Sequence, residues 1–478
     1  MNQSTLTYPA PRTELTGQQL ISHAGLSVLS GFLNAMDFRA LCENRFSQFA
    51  PTTASHRPGK ILADLTLMLA AGGEQACDVD LLRTNPGLFG PVASEATVSR
   101  FMNRIKDMPE AFTHGYQTMS RSLRTKLWAA AGPRNPAQRA SKRTPLILDI
   151  DATLIQAHSD KQGTTGTYKG GNGFAPMILP ADYGTGNGTG ETLAILLRPG
   201  NKGANSAKDH IEALSQALAV LPDDFYDKDG VLIGEKLLVR TDSAGASREF
   251  LNHLDSLGIQ FSTSYSLPVI KERQIGWISE KKYWEPAIDQ HGKPLRDVWV
   301  VDATKIMNLK DYPPGTRIYV RAEPLHSGAK ASLFDAEGNR ITAFLTNSPY
   351  YVIPELDRRH RARGRCENRI KSLKHAGLGK LPYWSFAANQ AWALIAALAT
   401  NLLAWMQLVL LPAEHVAGVW DVKRWRYRLF SMAGKLISSG RRTRLLIPAH
   451  APESRLFSLV NQACNQLRHR WRQGHLTA

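Results

Sequence analysis

The sequence predicts an α/β protein: a mixed sheet flanked by helices, a β-rich insertion in that sheet's sequence, and an all-helical N-terminal region. Three observations support this prediction. Apolar residues recur at helical spacing up to about residue 131. Residues 145–267 alternate as three strands, a helix, a strand, a helix and a strand. Residues 268–340 are strand-like and aromatic, and they separate this alternation from a last strand and two helices.

Composition points to a polyanionic partner. The chain has 478 residues, enough for two to four domains, with a net charge of +17 and a pI of about 9.7. Nucleic acid is the simplest such partner, and an anionic membrane surface is the alternative. The four cysteines are too far apart in sequence for a Cys-x-x-Cys pair, which indicates a reducing, cytoplasmic setting without disulfides or a zinc finger. Residues 1–20 lack a signal-peptide pattern and are expected to be disordered or loosely packed.

The N-terminal region contains several predicted helices. Two apolar ones span Leu20–Phe46 and Ile61–Ala71. In a third, within Pro91–Lys106, Ser94 is the expected N-cap and Arg100 lies on the polar face. This third pattern is typical of the recognition helix of a helix-turn-helix, but also of an ordinary amphipathic helix. A basic linker, Gly132–Arg143, follows.

Two predicted strands of the central alternation carry acidic residues. Pro145–Leu154 alternates apolar and polar residues, which places Asp149 and Asp151 on one face. A later buried strand, Leu237–Asp242, ends in an acid. Carboxylates on separate strands converge only if those strands are neighbours. The predicted order of elements allows the first and fourth strands to lie side by side, so Asp151 and Asp242 are candidates for one site.

The stretch Arg361–Gly377, interpreted as one helix, carries the third acid. At 100° per residue, one stripe contains Glu367 and the bases His360, Arg363 and Lys374. A carboxylate among bases suits a divalent metal beside nucleic-acid phosphates, although a solvated basic helix is the plain alternative. Together with the two strand acids, Glu367 could complete a site for two Mg²⁺ ions that promotes phosphoryl displacement.

These motifs resemble the DDE transposases of insertion sequences, which have an RNase H-like core. Their signature helix, Tyr-x2-Arg-x3-Glu-x6-Lys, corresponds here to His360, Arg363, Glu367 and Lys374, with His in place of Tyr. The remaining matches, which extend the resemblance over about residues 145–410, are Asp151-Ala152-Thr153, Arg240-Thr241-Asp242-Ser243, LLRPGN at 196–201 and TYK at 167–169.

The resemblance implies a function and a site. Asp151, Asp242 and Glu367 would bind two Mg²⁺ or Mn²⁺ ions, and Arg363, Lys374 and His360 would contact DNA. The reaction would be hydrolysis at element ends followed by attack of the 3′-OH on target DNA. A Trp of the β-rich insertion could stack on a flipped base, and the candidates are Trp277, Trp284 and Trp299, each of which could instead be core. A homodimer on DNA in the bacterial cytoplasm, at the nucleoid, is expected.

The predicted domain organisation follows from these assignments. The parts are a helical DNA-end-binding region (1–131), a basic linker (132–144), an RNase H-like core (145–267 and 341–412), its β-rich insertion (268–340) and a basic C-terminal region (413–478). Aromatic residues interleave with the bases of the last part, which predicts either a nucleic-acid contact or a solvated surface. The apolar run Ala391–Leu411 is long enough for a membrane span, but its polar interruptions predict a buried core helix.

Two alternative functions are compatible with parts of the sequence. Asp149–Thr153 fits the Asp-x-Asp-x-Thr signature of haloacid-dehalogenase-type phosphatases, with Asp149 as nucleophile and Asp151 as acid. That class also needs a later Gly-Asp-x-x-x-Asp, which the surroundings of Asp242 do not provide. The second alternative is a catalytically inactive DNA-binding protein or a decayed transposase, for which the basic charge fits equally well.

Overall fold

The computed structural model has a mixed α/β fold with a large mixed sheet and many helices. It describes residues 20–51, 53–203, 205–267, 281–325, 335–336, 339–350, 352–439 and 442–473. Residues 1–19, which are expected to be disordered or loosely packed, lie outside these ranges, and only Leu20 of that segment is described. The candidate Trp277 also lies outside them. The four cysteines are free, as their spacing predicts.

Most helices belong to a region formed by the two ends of the chain, and the others flank the sheet. The helices are α1 (Ser27–Ala35), α2 (Phe38–Phe46), α3 (Pro58–Ala71), α4 (Asp80–Arg83), α5 (Pro86–Phe89), α6 (Glu95–Asp107), α7 (Pro109–Ala130), α8 (Pro136–Arg139), α9 (Ala207–Leu218), α10 (Arg248–Ser256), α11 (Ile353–Arg361), α12 (Gly364–Leu373), α13 (Phe386–Leu410), α14 (Val422–Trp425) and α15 (Ser454–Arg472). Serine side chains at 206 and 247 cap α9 and α10, satisfying backbone N–H groups that have no partner within the helix.

The strands form one large sheet and two small ones. They are β1 (Leu20–Ile21), β2 (Leu146–Ala152), β3 (Ile155–Gln156), β4 (Thr165–Gly166), β5 (Asn172–Phe174), β6 (Met177–Asp182), β7 (Glu191–Leu196), β8 (Leu237–Thr241), β9 (Gln260–Tyr265), β10 (Glu285–Ile288), β11 (Pro294–Asp302), β12 (Arg317–Pro324), β13 (Asp335–Ala336), β14 (Asn339–Thr346), β15 (Gly434–Ser439) and β16 (Arg442–Leu446). The large sheet runs β10-β11-β12-β14-β9-β8-β2-β6-β7, with β13 beside β14.

At the centre of the large sheet, β2 and β8 are neighbours, as the predicted order of elements allows. Strand β2 pairs in parallel with β8 and antiparallel with β6, and β8 pairs in parallel with β9. The β-rich segment continues this same sheet, because β12 pairs with β14 and β14 pairs with β9. The catalytic candidates therefore lie near the middle of the large sheet rather than at its edge.

The helical region has a core to which both ends of the chain contribute. This core includes residues from Leu26 to Leu467, and α15 packs against α1. Helix α13 is long and apolar enough to span a membrane by composition, but it is almost wholly buried in the protein, which confirms the predicted core helix. Trp420 and Trp425 of the basic C-terminal region are also buried, so these two aromatics are core rather than nucleic-acid contacts.

A buried polar cluster joins the helical region to the sheet. Glu191, at the start of β7, receives hydrogen bonds from Arg124 (Nη2 to Oε2, 2.7 Å), Trp128 (Nε1 to Oε1, 3.0 Å) and Trp405 (Nε1 to Oε2, 3.0 Å). Arg124 and Trp128 lie on α7, and Trp405 lies on α13. One carboxylate thus holds three elements together.

We expect Glu191→Gln to lower the free energy of unfolding by about 3–5 kcal/mol, because it leaves the buried Arg124 charge without compensation. Urea unfolding followed by circular dichroism would measure this change. The matched control is Asp223→Asn, which breaks an exposed ion pair with Arg121 of the same helix and should cost about 0–1 kcal/mol. Equal effects of the two substitutions would contradict a structural role for the cluster.

Candidate active site

Asp151 and Asp242 lie on neighbouring parallel strands. Ile150 of β2 is opposite Thr241 of β8, and each acid is the next residue along its chain. Asp151 is still within β2, whereas Asp242 begins a short turn and accepts a hydrogen bond from the backbone N–H of Ala244 (3.0 Å). The strand register therefore brings these two predicted residues together at one position of the sheet.

Glu367 lies on α12, and this helix is not continuous with α11. The prediction of one helix over 361–377 is wrong, because α11 ends at Arg361 and α12 begins at Gly364. The angular stripe calculated from a single helix therefore does not apply to His360. Glu367 is exposed, and with Arg363 and Ser243 it lines a cleft of about 520 Å³. Since Ser243 directly follows Asp242, the cleft joins Glu367 to the end of β8.

Electrostatic coupling links the three acids. Burial raises the pKa of Asp151, and the charges of Asp242 and Glu367 raise it further, while Arg363 opposes the rise. The Arg363 guanidinium lies 3.2 Å from the Asp151 carboxylate (Nη2 to Oδ2), and both side chains are about one-fifth exposed. Asp151 is therefore within electrostatic range of both other acids and of one base of the signature.

Lys374 approaches the site from the end of α12. Here the chain makes a π-type turn, Lys374–Leu378, and the lysine Nζ donates to the carbonyl of Leu154, two residues after β2 (3.1 Å). Burial lowers the pKa of Lys374, Lys169 lowers it further, and Asp151 opposes this effect. The structure thus brings Arg363 and Lys374 to the strand that carries Asp151.

Arg240 is a component of the site that was not assigned a role from the sequence. This fully buried residue of β8 forms a bidentate ion pair with Asp149 (Nε to Oδ1, 2.6 Å; Nη2 to Oδ2, 2.8 Å). It also donates to the carbonyls of Arg359 and Ala362, where α11 ends. Burial disfavours the charged guanidinium, but Asp149 raises the pKa of Arg240 above its ordinary value. Arg240 therefore attaches the end of α11, the segment that leads to Glu367, to strands β2 and β8.

The geometry of Asp149 contradicts the phosphatase alternative. Both carboxylate oxygens of Asp149 are taken by Arg240, and the residue is 1% exposed. A nucleophile must reach its substrate, and this carboxylate faces the interior. Asp149 instead supports the sheet beside Asp151.

His360 is buried, so its ring is not available to a phosphate. Its ring stacks on Phe344 of β14 (centroids 4.6 Å apart), and its two nitrogens lie 2.9 Å and 3.1 Å from the hydroxyls of Ser262 and Ser264 on β9. Burial lowers the pKa of His360 well below its ordinary value, and the nearby arginines, Arg240 first, lower it further. The ring is therefore neutral and attaches α11 to the sheet, unlike the DNA contact that the helical stripe predicts.

The remaining predicted DNA contacts lie apart from this cleft's lining. Trp284 is half-buried and packs against the core of the sheet, which favours its structural interpretation, while Trp299 of β11 is 41% exposed. Arg100 is exposed on α6 and donates to Thr97 (3.2 Å). The buried face of α6 is the predicted one, so the polar face carrying Arg100 is available to a partner.

The donor set fits a hard divalent cation, although the acids are not gathered around a common point. Mg²⁺ prefers carboxylate oxygens, and Asp151, Asp242 and Glu367 supply only these. Among the described residues, however, no group of three His, Cys, Asp or Glu side chains is close enough together to hold a metal. Arg363 compensates the charge of Asp151 in this arrangement. Coordination by all three acids therefore requires side-chain movement.

A family model described as "Transposase DDE domain group 1" matches residues 3–469. Among solved structures, a cryo-EM structure of a piggyBac transposase synaptic complex with hairpin DNA is 9% identical, with 97% of this chain and 85% of that chain covered and a TM-score of 0.39. This likeness is too low to transfer residue roles. The comparison with curated proteins finds no match.

Proposed function

This chain belongs to the DDE transposase family, in domain group 1, and we propose that it cuts DNA at the ends of a mobile element and joins the freed ends to target DNA. One observation carries the proposal for the site. The register of β2 with β8 aligns Asp151 with Asp242, and the charge of Glu367 acts on Asp151 from α12. We assign the large sheet around these strands to an RNase H-like core.

We assign the three carboxylates to binding of divalent ions, Mg²⁺ or Mn²⁺. Two such ions would stabilise the attacking and leaving oxygens of an in-line displacement at phosphorus. The protein's own contribution is to supply three carboxylates that would hold the ions, while nearby bases would hold the scissile phosphate. Neutralising the coupled acids in this way also removes their mutual repulsion.

Arg363 and Lys374 are the proposed phosphate contacts. Arg363 lines the cleft beside Glu367 and its side chain is about one-fifth exposed, so its guanidinium can donate to a phosphate oxygen there. A guanidinium suits this task because its N–H groups form a rigid fork. His360 supports the same segment from behind, by holding α11 against β9.

The other parts of the chain have proposed roles in DNA handling. We assign residues 1–131, including Arg100 on α6, to binding of element ends, and 413–478 to additional backbone contacts. We assign the RNase H-like core to residues 145–267 and 341–412. The basic linker is assigned to 132–144 and the β-rich segment to 268–340. Two ends must be brought together, so the active form is proposed to be a homodimer on DNA, acting in the bacterial cytoplasm at the nucleoid.

Cleavage of DNA that carries the flanking sequence of the element tests this function. In Mg²⁺ or Mn²⁺, the protein should nick or cut at the element boundary and leave a 3′-OH. Target DNA added to the same reaction should acquire the cut ends. A protein that binds these DNAs but never cuts them would support the inactive DNA-binding alternative instead.

DNA affinity should fall steeply with salt, because the net charge of +17 implies many phosphate contacts. For roughly 6–10 contacts, affinity should drop about 10³- to 10⁵-fold between 50 and 200 mM salt. Fluorescence anisotropy at several KCl concentrations measures this slope. Lys374→Gln should reduce the slope by about one ion and weaken binding similarly on all sequences. An affinity independent of salt would show that this basic surface is not the DNA interface.

A further inference from the structure

A small lobe projects from the chain directly after the strand that carries Asp151. It consists of the three-stranded sheet β3-β5-β4, and its tip is the turn from Thr167 to Gly171. The turn is well ordered internally: the N–H of Thr167 donates to Gly171 (2.9 Å), and the N–H of Gly170 donates to Thr167 (3.0 Å). Gly170 and Gly171 have φ angles of 84° and 75°, which favour glycine.

The tip presents an aromatic ring to solvent. Tyr168 is 82% exposed, and the Lys169 ammonium lies 5.6 Å from its ring centroid. A large exposed ring on a rigid turn contributes nothing to a core, and a cation beside it strengthens attraction to anionic partners.

The lobe begins beside the candidate active site. Its first strand begins at Ile155, next to Leu154, whose carbonyl receives the hydrogen bond from Lys374. Lys374 is within electrostatic range of both Asp151 and Lys169. Lys374 is therefore near the start of the lobe, and it is a common neighbour of Asp151 and Lys169.

A second exposed aromatic stands at the base of the lobe. The N–H of Gln162 donates to the carbonyl of Trp384 (3.0 Å), Phe174 packs against Phe386 (centroids 6.0 Å apart), and Trp384 is 67% exposed. Lys161 and Lys380 are near each other here, because the Lys161 ammonium donates to the carbonyl of Leu381, the residue after Lys380. Exposed rings and lysines next to the strand that carries Asp151 form a surface suited to a nucleic-acid strand.

We propose that Tyr168 stacks on an unpaired base of the DNA strand next to the scissile phosphate, while Lys169 and Lys374 hold the neighbouring phosphates. The inference rests on the proposed function and names a contact for the same site. An unpaired base fits because its π-face is exposed, and stacking on an aromatic side chain is insensitive to base identity. Duplex DNA, whose bases are already stacked, offers this face only at its end.

Binding to short DNAs with an unpaired tail at the predicted cut tests the proposal. Measurements use the full chain carrying Glu367→Gln, so that the DNA is not consumed. We expect Tyr168→Ala to weaken binding of tailed DNA roughly 5- to 100-fold and Tyr168→Phe to bind like the parent, since stacking is worth about 1–3 kcal/mol per base. Duplex that continues well beyond the cut on both sides offers no unstacked face there and should bind both variants equally.

A double-mutant cycle that combines Tyr168→Ala with abasic nucleotides in the DNA locates the contact. Replacing one tail nucleotide at a time by an abasic one should identify a position at which the loss equals that of Tyr168→Ala and does not add to it. A matched control is Tyr427→Ala, since Tyr427 is 81% exposed but lies in the C-terminal region. Its loss should be the same with and without the base.

The outcomes distinguish a failure of the stacking proposal from a failure of the proposed function. Suppose that the wild-type chain cuts DNA, but that Tyr168→Ala in the Glu367→Gln background binds tailed DNA normally. The stacking proposal is then wrong and the proposed function stands. The stacking proposal is also overturned if Tyr168→Ala changes only the oligomeric state seen by light scattering. If the wild-type chain neither binds nor cuts element DNA, the proposed function fails first.

Discussion

Glu367→Gln is expected to abolish DNA cleavage in Mg²⁺ while leaving binding of element ends largely intact, and Asp151→Asn and Asp242→Asn should do the same. Each substitution keeps the shape of the side chain and removes one negative charge from the coupled group. Stabilisation of a phosphoryl-transfer transition state by bound cations is worth several kcal/mol, so the rate should fall by roughly 10³-fold or more. Gel analysis of labelled element ends would measure cleavage, and anisotropy would measure binding.

A chemically identical substitution elsewhere controls for charge alone. Glu212 is exposed on α9, and Glu212→Gln should cut DNA at the wild-type rate. Substituting Mn²⁺ for Mg²⁺ should not rescue the three site variants fully, because a charged ligand is still missing. A Glu367→Gln protein that cuts normally would remove Glu367 from the site.

Arg240→Leu is expected to lower the free energy of unfolding by about 3–5 kcal/mol, because it leaves the buried Asp149 without its partner. It also removes the donors to the carbonyls of Arg359 and Ala362, so the segment leading to Glu367 loses its attachment to the sheet. Urea unfolding midpoints report the first effect. The residual cleavage rate of the folded fraction reports the second, and it should fall at least tenfold.

Two further variants make this expectation specific. Arg248→Leu removes an arginine whose side chain is 61% exposed and pairs with Asp311 (3.2 Å), so it should cost about 0–1 kcal/mol. Combining Asp149→Leu with Arg240→Leu should recover part of the stability, since apolar pairs often replace buried ion pairs at little cost. Single Arg240→Leu protein with wild-type stability would show that the pair does not support the sheet.

Strand periodicity made the two strand acids predictable from the sequence. The alternation around Asp151 and the apolar run before Asp242 each define a buried strand, because side chains on a strand alternate between two faces. The order of the elements allowed these strands to be neighbours, and the structure shows that they pair in parallel. The assignment of the acids to catalysis stays a prediction.

The helix break before Glu367 was missed because most of the local sequence favours a continuous helix. Arginine and alanine are good helix formers, so the residues around Ala362 favour a continuous helix. The break coincides with hydrogen bonds from Arg240, about 120 residues away in sequence, to carbonyls at this point. Gly364 is the local signal that could have suggested it. The charge of Arg240 within an otherwise apolar buried strand was the corresponding signal for the partner.

The β-rich segment was predicted in type but not in place. Its aromatic and β-branched residues indicate strands, whereas nothing in them specifies which sheet edge they join. In the structure they continue the large sheet beyond β14. Likewise, burial of Trp420 and Trp425 depends on packing that composition alone does not reveal.

The joining of the two chain ends has a consequence for synthesis. Strand β1 pairs with β15, and α1 packs against α15, so the helical core lacks essential surfaces until the last helix has left the ribosome. At about 5–20 residues per second, that takes roughly half a minute to a minute and a half. During this interval the apolar face of α1 that packs against α15 stays exposed. The helical core of a newly made chain is therefore complete only after residues Ser454–Arg472 have been synthesised.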